Sequence, residues 1–316
     1  MNRATVTVGA SPLTGFLLAL ASAGSFAFSG IFASALISAG WSPGAAVIAR
    51  ITLAALILLV PTLIMMRGKW HLVVAAWKQV LLFGILAVAG CQLAFFLAVE
   101  HIAPSLALLI EFMGPVLLML FFWARTRIAP HQLTLLGAVI AIAGLVTISG
   151  LAVGSSLHPL GIFFALIAAV GNATYFATGA TTEHGIPPLP FVGIGLGVAS
   201  VFLIAASAVG VLPFTTSTAP VILAGAEVPL WVPIAGMALI STVISYVLGV
   251  AASRRLGATV ASFTGYSEPL FAIAWSIMLL GIAPTTTEWI GAALIIGGVA
   301  AVKAGEVVRT RSLPKL

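Results

Sequence analysis

The sequence predicts an all-α integral membrane protein whose ten transmembrane helices form two inverted five-helix repeats. Its composition, its succession of apolar stretches and an internal repeat lead to this fold class. Of the 316 residues, 61% are hydrophobic and 6% are charged, whereas about a quarter of the residues of a soluble domain are charged. A soluble domain of this size could not cover its surface with so few charges. A disordered chain is excluded as well, because such chains are poor in apolar residues. The remaining class is a membrane protein of many helices.

Ten apolar stretches follow one another along the chain, and each has the roughly 20 residues that a helix needs to cross about 30 Å of hydrocarbon. Proline, glycine and charged residues separate them. The first stretch continues to Ile37, past any cleavage site, so it predicts a retained helix rather than a signal peptide. The predicted spans are 14–37, 43–66, 79–99, 104–124, 131–150, 158–179, 188–212, 231–253, 257–280 and 286–304.

The basic residues predict how the helices are oriented. Arg50 lies inside the second span, and the other twelve lie at the chain ends or in the connections after the second, fourth and eighth spans. Because basic residues are concentrated in cytoplasmic loops, both termini are predicted to be cytoplasmic. The spacing of these charges between apolar runs also argues against a nucleic-acid-binding face. The twelve are Arg3, Arg67, Lys69, Lys78, Arg125, Arg127, Arg254, Arg255, Lys303, Arg309, Arg311 and Lys315.

An internal repeat relates the two halves of the chain. Residues 101–145 align with residues 255–299 at an offset of 154, which places Pro115 on Pro269 and the Ile-Ala-Pro run at 128–130 on the one at 282–284. Each half then contains five helices, with predicted repeats at 1–150 and 151–316. Because five is odd, the second copy enters the membrane from the opposite side, as in many secondary transporters. The alternative is that the duplication only builds a stable helix bundle.

Three short motifs lie in the fourth, eighth and ninth predicted spans. Residues 111–115 are Glu-Phe-Met-Gly-Pro, residues 241–246 are Ser-Thr-Val-Ile-Ser-Tyr, and residues 268–269 are Glu-Pro. They resemble the E-F-x-G-P, S-T-x-x-x-Y and E-P motifs of threonine/homoserine exporters, which are EamA-type members of the drug/metabolite transporter superfamily. One departure is Leu280-Gly281-Ile282, where many members have Leu-Gly-Glu. The resemblance covers nearly the whole chain and implies export of an amino acid or similar small metabolite across the cell inner membrane.

Three ionisable residues inside predicted spans need a physical reason, since such a residue costs about 2.5–3.5 kcal/mol or more at the bilayer centre. Arg50 and Glu111 each lie seven residues after the proline that begins their span, which is about 10 Å deep. A bidentate pair between them would lower the cost of both. We interpret this pair as mainly structural, for example as a gate on the outer side, with contact with the substrate as the alternative.

Glu268 lies about twelve residues from each end of the ninth span, near the membrane midplane, and no Lys or Arg has the same predicted depth. A carboxyl in a low-dielectric cavity without a basic partner can take up a proton near neutral pH. Glu268 is therefore the candidate for proton coupling or for binding a substrate ammonium group, with a purely structural hydrogen bond as the alternative. Pro269 is expected to free the carbonyl of Gly265, and Pro115 is expected to break the fourth helix in the same way.

Other polar side chains at similar depths complete the predicted set of substrate-binding or proton-coupling residues. Large polar groups inside a membrane need partners, which favours Gln92, Asn172, Tyr175 and Tyr246. Serine side chains often bond to carbonyls of their own helix, so they are weaker candidates. These serines are Ser25, Ser29, Ser241 and Ser245.

Other function classes fit the sequence less well. No H-E-x-x-H, G-x-S-x-G or P-loop motif occurs, and the absence of aspartate excludes an aspartyl protease. The prediction is therefore a transporter driven by a gradient and not an enzyme, with a channel or an intramembrane enzyme as alternatives. Among transporters, multidrug and nucleotide-sugar carriers are the alternatives to an amino-acid exporter. The predicted partners are a small-molecule substrate, the bilayer and protons; no cofactor or metal is predicted, since the five histidines lie at helix ends.

Overall fold

The computed structural model describes residues 12–149, 158–281 and 283–312. Ten helical segments within these ranges, named α1 to α10, follow the order of the predicted spans. A short helix, Trp70–Ala75, precedes α3. The segments are α1 (Pro12–Ser38), α2 (Pro43–Met65), α3 (Trp77–Val99), α4 (Pro104–Thr126), α5 (Gln132–Ile148), α6 (Pro159–Ala180), α7 (Pro188–Ala208), α8 (Trp231–Leu256), α9 (258–280) and α10 (Thr286–Ser312).

A few predicted features lie outside the described residues. These are Arg3, Lys315, Ile282 of the repeated Ile-Ala-Pro run, and the boundary between the two predicted repeats at 150–151.

Eight of the described helices are long and apolar enough to cross a membrane: α1 to α4, α6 to α8, and α10. Helix α5 has only 17 residues, and α9 is interrupted in its middle. Large apolar side chains such as Ile64, Val139 and Val201 are exposed on the outside of the bundle, a surface that suits lipid rather than water. The prediction of a helical membrane protein is therefore confirmed, while ten crossings stay a prediction.

Helices α4 and α9 are interrupted at equivalent positions. Helix α4 leaves α-helical geometry at residues 112–113, and α9 tightens into a 3₁₀ turn at Gly265–Ser267. Pro115 and Pro269 follow these interruptions, and each lacks the N–H that would continue the hydrogen-bond ladder. The two interruptions lie 154 residues apart, the offset of the sequence repeat.

Helices α3 and α8 contain π-helical stretches, Leu82–Gly90 and Leu239–Ile244, whose last residues are also 154 apart. Such stretches are rare and often lie at functional sites. Each stretch is followed within two residues by a predicted site residue, Gln92 in α3 and Tyr246 in α8. The irregular backbone therefore lies next to the candidate site in both halves.

Glycines allow α5 and α10 to pack closely against each other. A Cβ atom on Gly137 would lie 2.6 Å from the carbonyl oxygen of Gly298, and one on Gly144 would lie 2.7 Å from that of Gly291. Small residues permit this approach of two backbones. Because the lower residue number of one helix meets the higher number of the other, α5 and α10 are antiparallel.

A hairpin that the sequence analysis did not predict lies between α7 and α8. Strands β1 (Val221–Leu223) and β2 (Ala226–Val228) pair in antiparallel fashion. They are joined through Ala224 and Gly225, which both have positive φ angles, as two-residue hairpin turns of type I′ require. Val221 is buried against a cluster that includes Leu36 of α1, so the hairpin covers the ends of the helices there.

Candidate functional site

A central cavity of about 220 Å³ lies at the interruptions of α4 and α9. Side chains of α1, α2, α3, α4, α6, α8 and α9 line it. The structure brings all seven residues of the predicted substrate-binding or proton-coupling set to its wall, together with Pro115. These seven are Arg50, Gln92, Glu111, Asn172, Tyr175, Tyr246 and Glu268.

Arg50 does not form the predicted pair with Glu111. Its side chain is buried, and one Nη atom donates a hydrogen bond of 2.7 Å to the Oγ atom of Ser29 in α1. No ion pair joins Arg50 to a carboxylate in the part of the chain that the structure describes. The expected bidentate pair is therefore wrong. Equal depth along two helices does not fix the direction of their side chains, and α1 supplies Arg50 with a nearer acceptor.

Glu111 is the last residue before the interruption of α4. Its Oε1 atom lies 3.4 Å from the Sγ atom of Cys91, which donates to it. Cys91 also approaches the carbonyl of Ala168 in α6 at 3.4 Å. The thiol of Cys91 thus lies between the carboxyl of α4 and the backbone of α6.

Glu268 begins the second half of α9 and faces the same cavity. No hydrogen bond or ion pair reaches its carboxyl from the described residues. Although the sequence analysis found no Lys or Arg at the predicted depth of Glu268, Arg50 lines the same cavity as Glu268 and Glu111. The predicted depth of Glu268 differs from that of Arg50 and Glu111, but the fold brings the three groups around one cavity.

The backbone at Pro269 also differs from the expectation. The carbonyl of Gly265 accepts a hydrogen bond from the backbone N–H of Glu268, so the predicted free carbonyl at this position is wrong. Before the proline the chain adopts 3₁₀ geometry, in which a backbone N–H bonds to the carbonyl three residues earlier instead of four. Pro269 instead lines an adjoining cavity with Glu268.

The two predicted tyrosines belong to an aromatic cluster at the cavity wall. The rings of Tyr175 and Tyr246 meet edge to face at 5.4 Å, and Phe83 packs against both. Phe26 of α1 contacts Tyr246 at 4.9 Å. This cluster joins α1, α3, α6 and α8, so these tyrosines fix the wall as well as presenting polar atoms to it.

Asn172 and Gln92 add amide groups to the wall. The Oδ1 atom of Asn172 is buried without a hydrogen-bond partner among the described residues, and α6 lies close enough to α4 there that a Cβ on Gly114 would be 2.6 Å from it. Of the predicted serines, Ser29 binds Arg50, whereas Ser245 donates to the carbonyl of Ser241 in its own helix. A buried amide oxygen without a donor is costly, and this one lies where α6 passes the interruption of α4.

Two further cavities lie toward opposite ends of the bundle. A vestibule of about 620 Å³ adjoins the central cavity at Ser29, Phe95 and Glu268 and reaches Pro284 and Glu288 at the start of α10. We call this side the non-basic end. A pocket of about 320 Å³ lies at the other, basic end, between the ends of α4, α8 and α10 and the start of α9. It does not share lining residues with the central cavity.

Tyr266 is a residue that the sequence analysis missed. It is fully buried, and its hydroxyl donates a hydrogen bond of 2.6 Å to the carbonyl of Phe112. The two residues are 154 apart, so the interrupted segments of α4 and α9 contact each other at equivalent positions. The repeat offset of 154 connects these two positions in the sequence and could have indicated the contact.

Comparisons with known proteins agree with this architecture. The sequence profile of the EamA-like transporter family matches residues 13–150 and 159–303. An uncharacterized inner membrane transporter of Salmonella typhimurium (strain LT2), YicL, is 25% identical over 223 residues, which are 70% of this chain and 71% of that protein. A crystal structure of a protein with 17% sequence identity superposes with a TM-score of 0.74 and covers 96% of this chain and 100% of its own. This last likeness shows a shared fold.

Proposed function

This chain belongs to the EamA-like transporter family, and from this premise we propose that it exports an amino acid of the threonine or homoserine kind across the inner membrane by gradient-driven alternating access. The observation that carries the proposal is the central cavity, which is lined by Glu111 and Glu268 of the two interrupted helices and by Arg50. Ionisable residues inside a membrane face substrate or ion pathways in most transporters. A cavity of this size suits a solute smaller than a drug molecule, since drug-sized sites occupy about 300–1,000 Å³.

The proposed architecture is two inverted five-helix repeats, residues 1–150 and 151–316. The offset of 154 found in the sequence recurs in the ends of the two π-helical stretches and in the interruptions of α4 and α9. The glycine contacts between α5 and α10 support it as well. Gly137 is equivalent to Gly291, and Gly144 is equivalent to Gly298. The repeat offset therefore converts the contact between Gly137 and Gly298 into the contact between Gly291 and Gly144. A two-fold axis between antiparallel helices requires this relation.

The two outlying cavities support alternation between two accessible sides. Several lining positions of the basic-end pocket are equivalent, at the same offset, to lining positions of the vestibule: Met119 to Ile273, Phe122 to Ser276, Pro130 to Pro284, and Thr259 to Ser105. The vestibule adjoins Glu268, whereas the pocket stops short of it. We interpret the pocket as the closed counterpart of the vestibule, which opens when the two repeats exchange conformations.

The proposed orientation puts the basic end in the cytoplasm. Contacts between the helix ends group the basic residues there: Arg254 of α8 donates to the carbonyl of Ile186, and Lys303 of α10 lies 4.5 Å over the ring of Phe16 in α1. The positive-inside rule then gives cytoplasmic termini and a vestibule that opens to the outside. Glu268, which lies where the vestibule meets the central cavity, is the proposed proton-coupling group.

Transport in proteoliposomes tests the function. We expect saturable uptake of radiolabelled L-threonine or L-homoserine that is accelerated by unlabelled solute on the opposite side, because a carrier must return its binding site across the membrane. Non-saturating flux without counterflow would indicate a channel, and product formation would indicate an enzyme. A parallel toxicity screen in overexpressing cells asks which amino acid or analogue loses its toxicity, and protection only against drugs would indicate a multidrug carrier.

A further inference from the structure

Arg50 is a buried guanidinium with unused hydrogen-bonding capacity. It is only 5% exposed, its Nε atom has no hydrogen-bond partner, and it lines the central cavity. Ser29 receives one Nη donor. A buried charge without an ion pair is expensive, and the described chain holds two carboxyls in the same cavity that do not pair with it. The free Nε edge therefore points to an acceptor that the protein does not supply.

The other walls of the cavity offer the opposite chemistry. Glu268 on α9 has no hydrogen bond from the described residues, and the Oδ1 atom of Asn172 on α6 is buried without a donor. Both are acceptors that a cationic N–H group would satisfy. Between these polar walls, Phe26, Phe95 and Phe176 give the cavity apolar surface.

We infer that the central cavity binds a zwitterion, with its carboxylate on the Nε edge of Arg50 and its ammonium group on Glu268 and Asn172. Guanidinium binds carboxylate with two parallel hydrogen bonds, which fixes the orientation of the ligand. The inference rests on the proposed transport of an amino acid and adds which residues bind its two charged groups, both of which must be free. Arg50 is then a substrate-binding residue rather than the structural partner of Glu111.

Competing ligand classes leave a charge unmatched. A dicarboxylate would bring its second carboxylate toward Glu111 and Glu268, and a diamine would bring an ammonium group toward Arg50. Like charges that meet in a desolvated site repel each other. A phosphate-bearing ligand would require several cationic side chains, and Arg50 is the only Lys or Arg at the central cavity among the described residues.

Matched probes test the two ends of the ligand separately. Binding of L-leucine, L-threonine and L-phenylalanine to the purified full-length protein is compared by calorimetry with binding of their amides, which lack the carboxylate, and their N-acetyl derivatives, which lack the ammonium group. We expect at least one free amino acid to bind, and its two derivatives to bind at least about tenfold more weakly, since hydrogen bonds to charged groups are the strong ones. Equal affinity for the amide and the free acid, or no binding by any of the three, would overturn the inference.

Variants then locate the two contacts. Arg50→Gln should lower affinity for the free amino acid at least about tenfold and abolish its advantage over the amide, while Glu268→Gln should abolish its advantage over the N-acetyl derivative. Arg50→Lys keeps the charge but loses the planar guanidinium that can donate two parallel hydrogen bonds. Its affinity for the free amino acid should therefore lie between those of the wild type and Arg50→Gln. Equal weakening of all three probes by Arg50→Gln would indicate a structural role and contradict the inference.

Two safeguards keep the outcome decisive. If Arg50→Gln does not fold, Arg50→Lys and the wild-type probe series still answer the question. Binding is also measured apart from transport. A free amino acid that binds with the expected discrimination but shows no counterflow would contradict the transport proposal alone, whereas amino-acid counterflow with equal affinity for the free acid, its amide and its N-acetyl derivative would contradict the zwitterion inference alone.

Discussion

The interruptions of α4 and α9 share a backbone design but differ in their chemistry. In α4 the carboxyl of Glu111 ends the first half-helix, Pro104–Glu111. In α9 the carboxyl of Glu268 begins the second half-helix, Glu268–Leu280. The N-terminus of a helix carries partial positive charge and its C-terminus partial negative charge, so the same interruption favours the carboxylate of Glu268 and disfavours that of Glu111.

Their partners differ as well. Glu111 accepts from the thiol of Cys91, whereas Glu268 is open to the cavity and the vestibule. The comparison teaches that two interruptions separated by the repeat offset can share a backbone form and still differ in the surroundings of their carboxyls. The following predictions test the two parts of this statement.

The largest expected effect is on transport by Glu268→Gln. The amide keeps the size of the side chain but cannot exchange a proton or pair with an ammonium group, so transport of the best solute should fall at least about tenfold and lose its pH dependence. Glu111→Gln is the matched variant, and we expect a smaller loss. Rates in proteoliposomes across the neutral pH range measure both. A wild-type rate and pH profile for Glu268→Gln, or a greater loss for Glu111→Gln, would contradict the asymmetry.

The symmetric backbone is tested by Gly298→Ala. A Cβ atom there would lie 2.5 Å from the amide nitrogen of Ala141 and 2.7 Å from the carbonyl oxygen of Gly137. We expect a loss of about 1–3 kcal/mol of stability because the two helices must separate. The equivalent variant Gly144→Ala should lose a similar amount. Gly297→Ala is the control, since nothing lies within 4 Å of its Cβ position. Equal melting temperatures for Gly297→Ala and Gly298→Ala would contradict the prediction.

The contact between the two interruptions is tested by Tyr266→Phe. The variant removes the hydroxyl that donates to the carbonyl of Phe112, which should cost about 1 kcal/mol of stability. Thr147→Val is the control, because its exposed hydroxyl bonds within its own helix and its loss should leave the melting temperature nearly unchanged. Equal melting temperatures for the two variants would show that the contact between the interruptions contributes little.

The smallest effect is expected for Cys91→Ser, which introduces the residue found at the equivalent position, Ser245. A hydroxyl can still donate to Glu111, so the transport rate should change by less than about twofold. Cys91→Val removes the donor at similar size and should reduce the rate further, since the Glu111 carboxyl then loses its hydrogen bond. Equal transport rates for Cys91→Ser and Cys91→Val would contradict the prediction that the hydrogen bond to Glu111 contributes to transport.

The composition, the apolar spans and the repeat offset were readable from the sequence because they are local or periodic properties. Arg50, Glu111 and Glu268 were found for the same reason, since an ionisable residue within an apolar run stands out whatever its surroundings. The Arg50–Glu111 pair was predicted from depth alone and was wrong, because depth does not give the rotation of a helix about its axis.

The tertiary structure decided which groups meet. The cavity that Arg50 shares with both carboxyls, the approach of Cys91 to Glu111 and the bond from Tyr266 to Phe112 each involve residues of different helices. Side-chain direction in a helix depends on its rotation and on the local departures from α-helical geometry, here the π-helical stretches and the interruptions of α4 and α9. The sequence by itself determined that a polar site lies within the membrane, and packing between the two halves determined its shape and its unpaired charge.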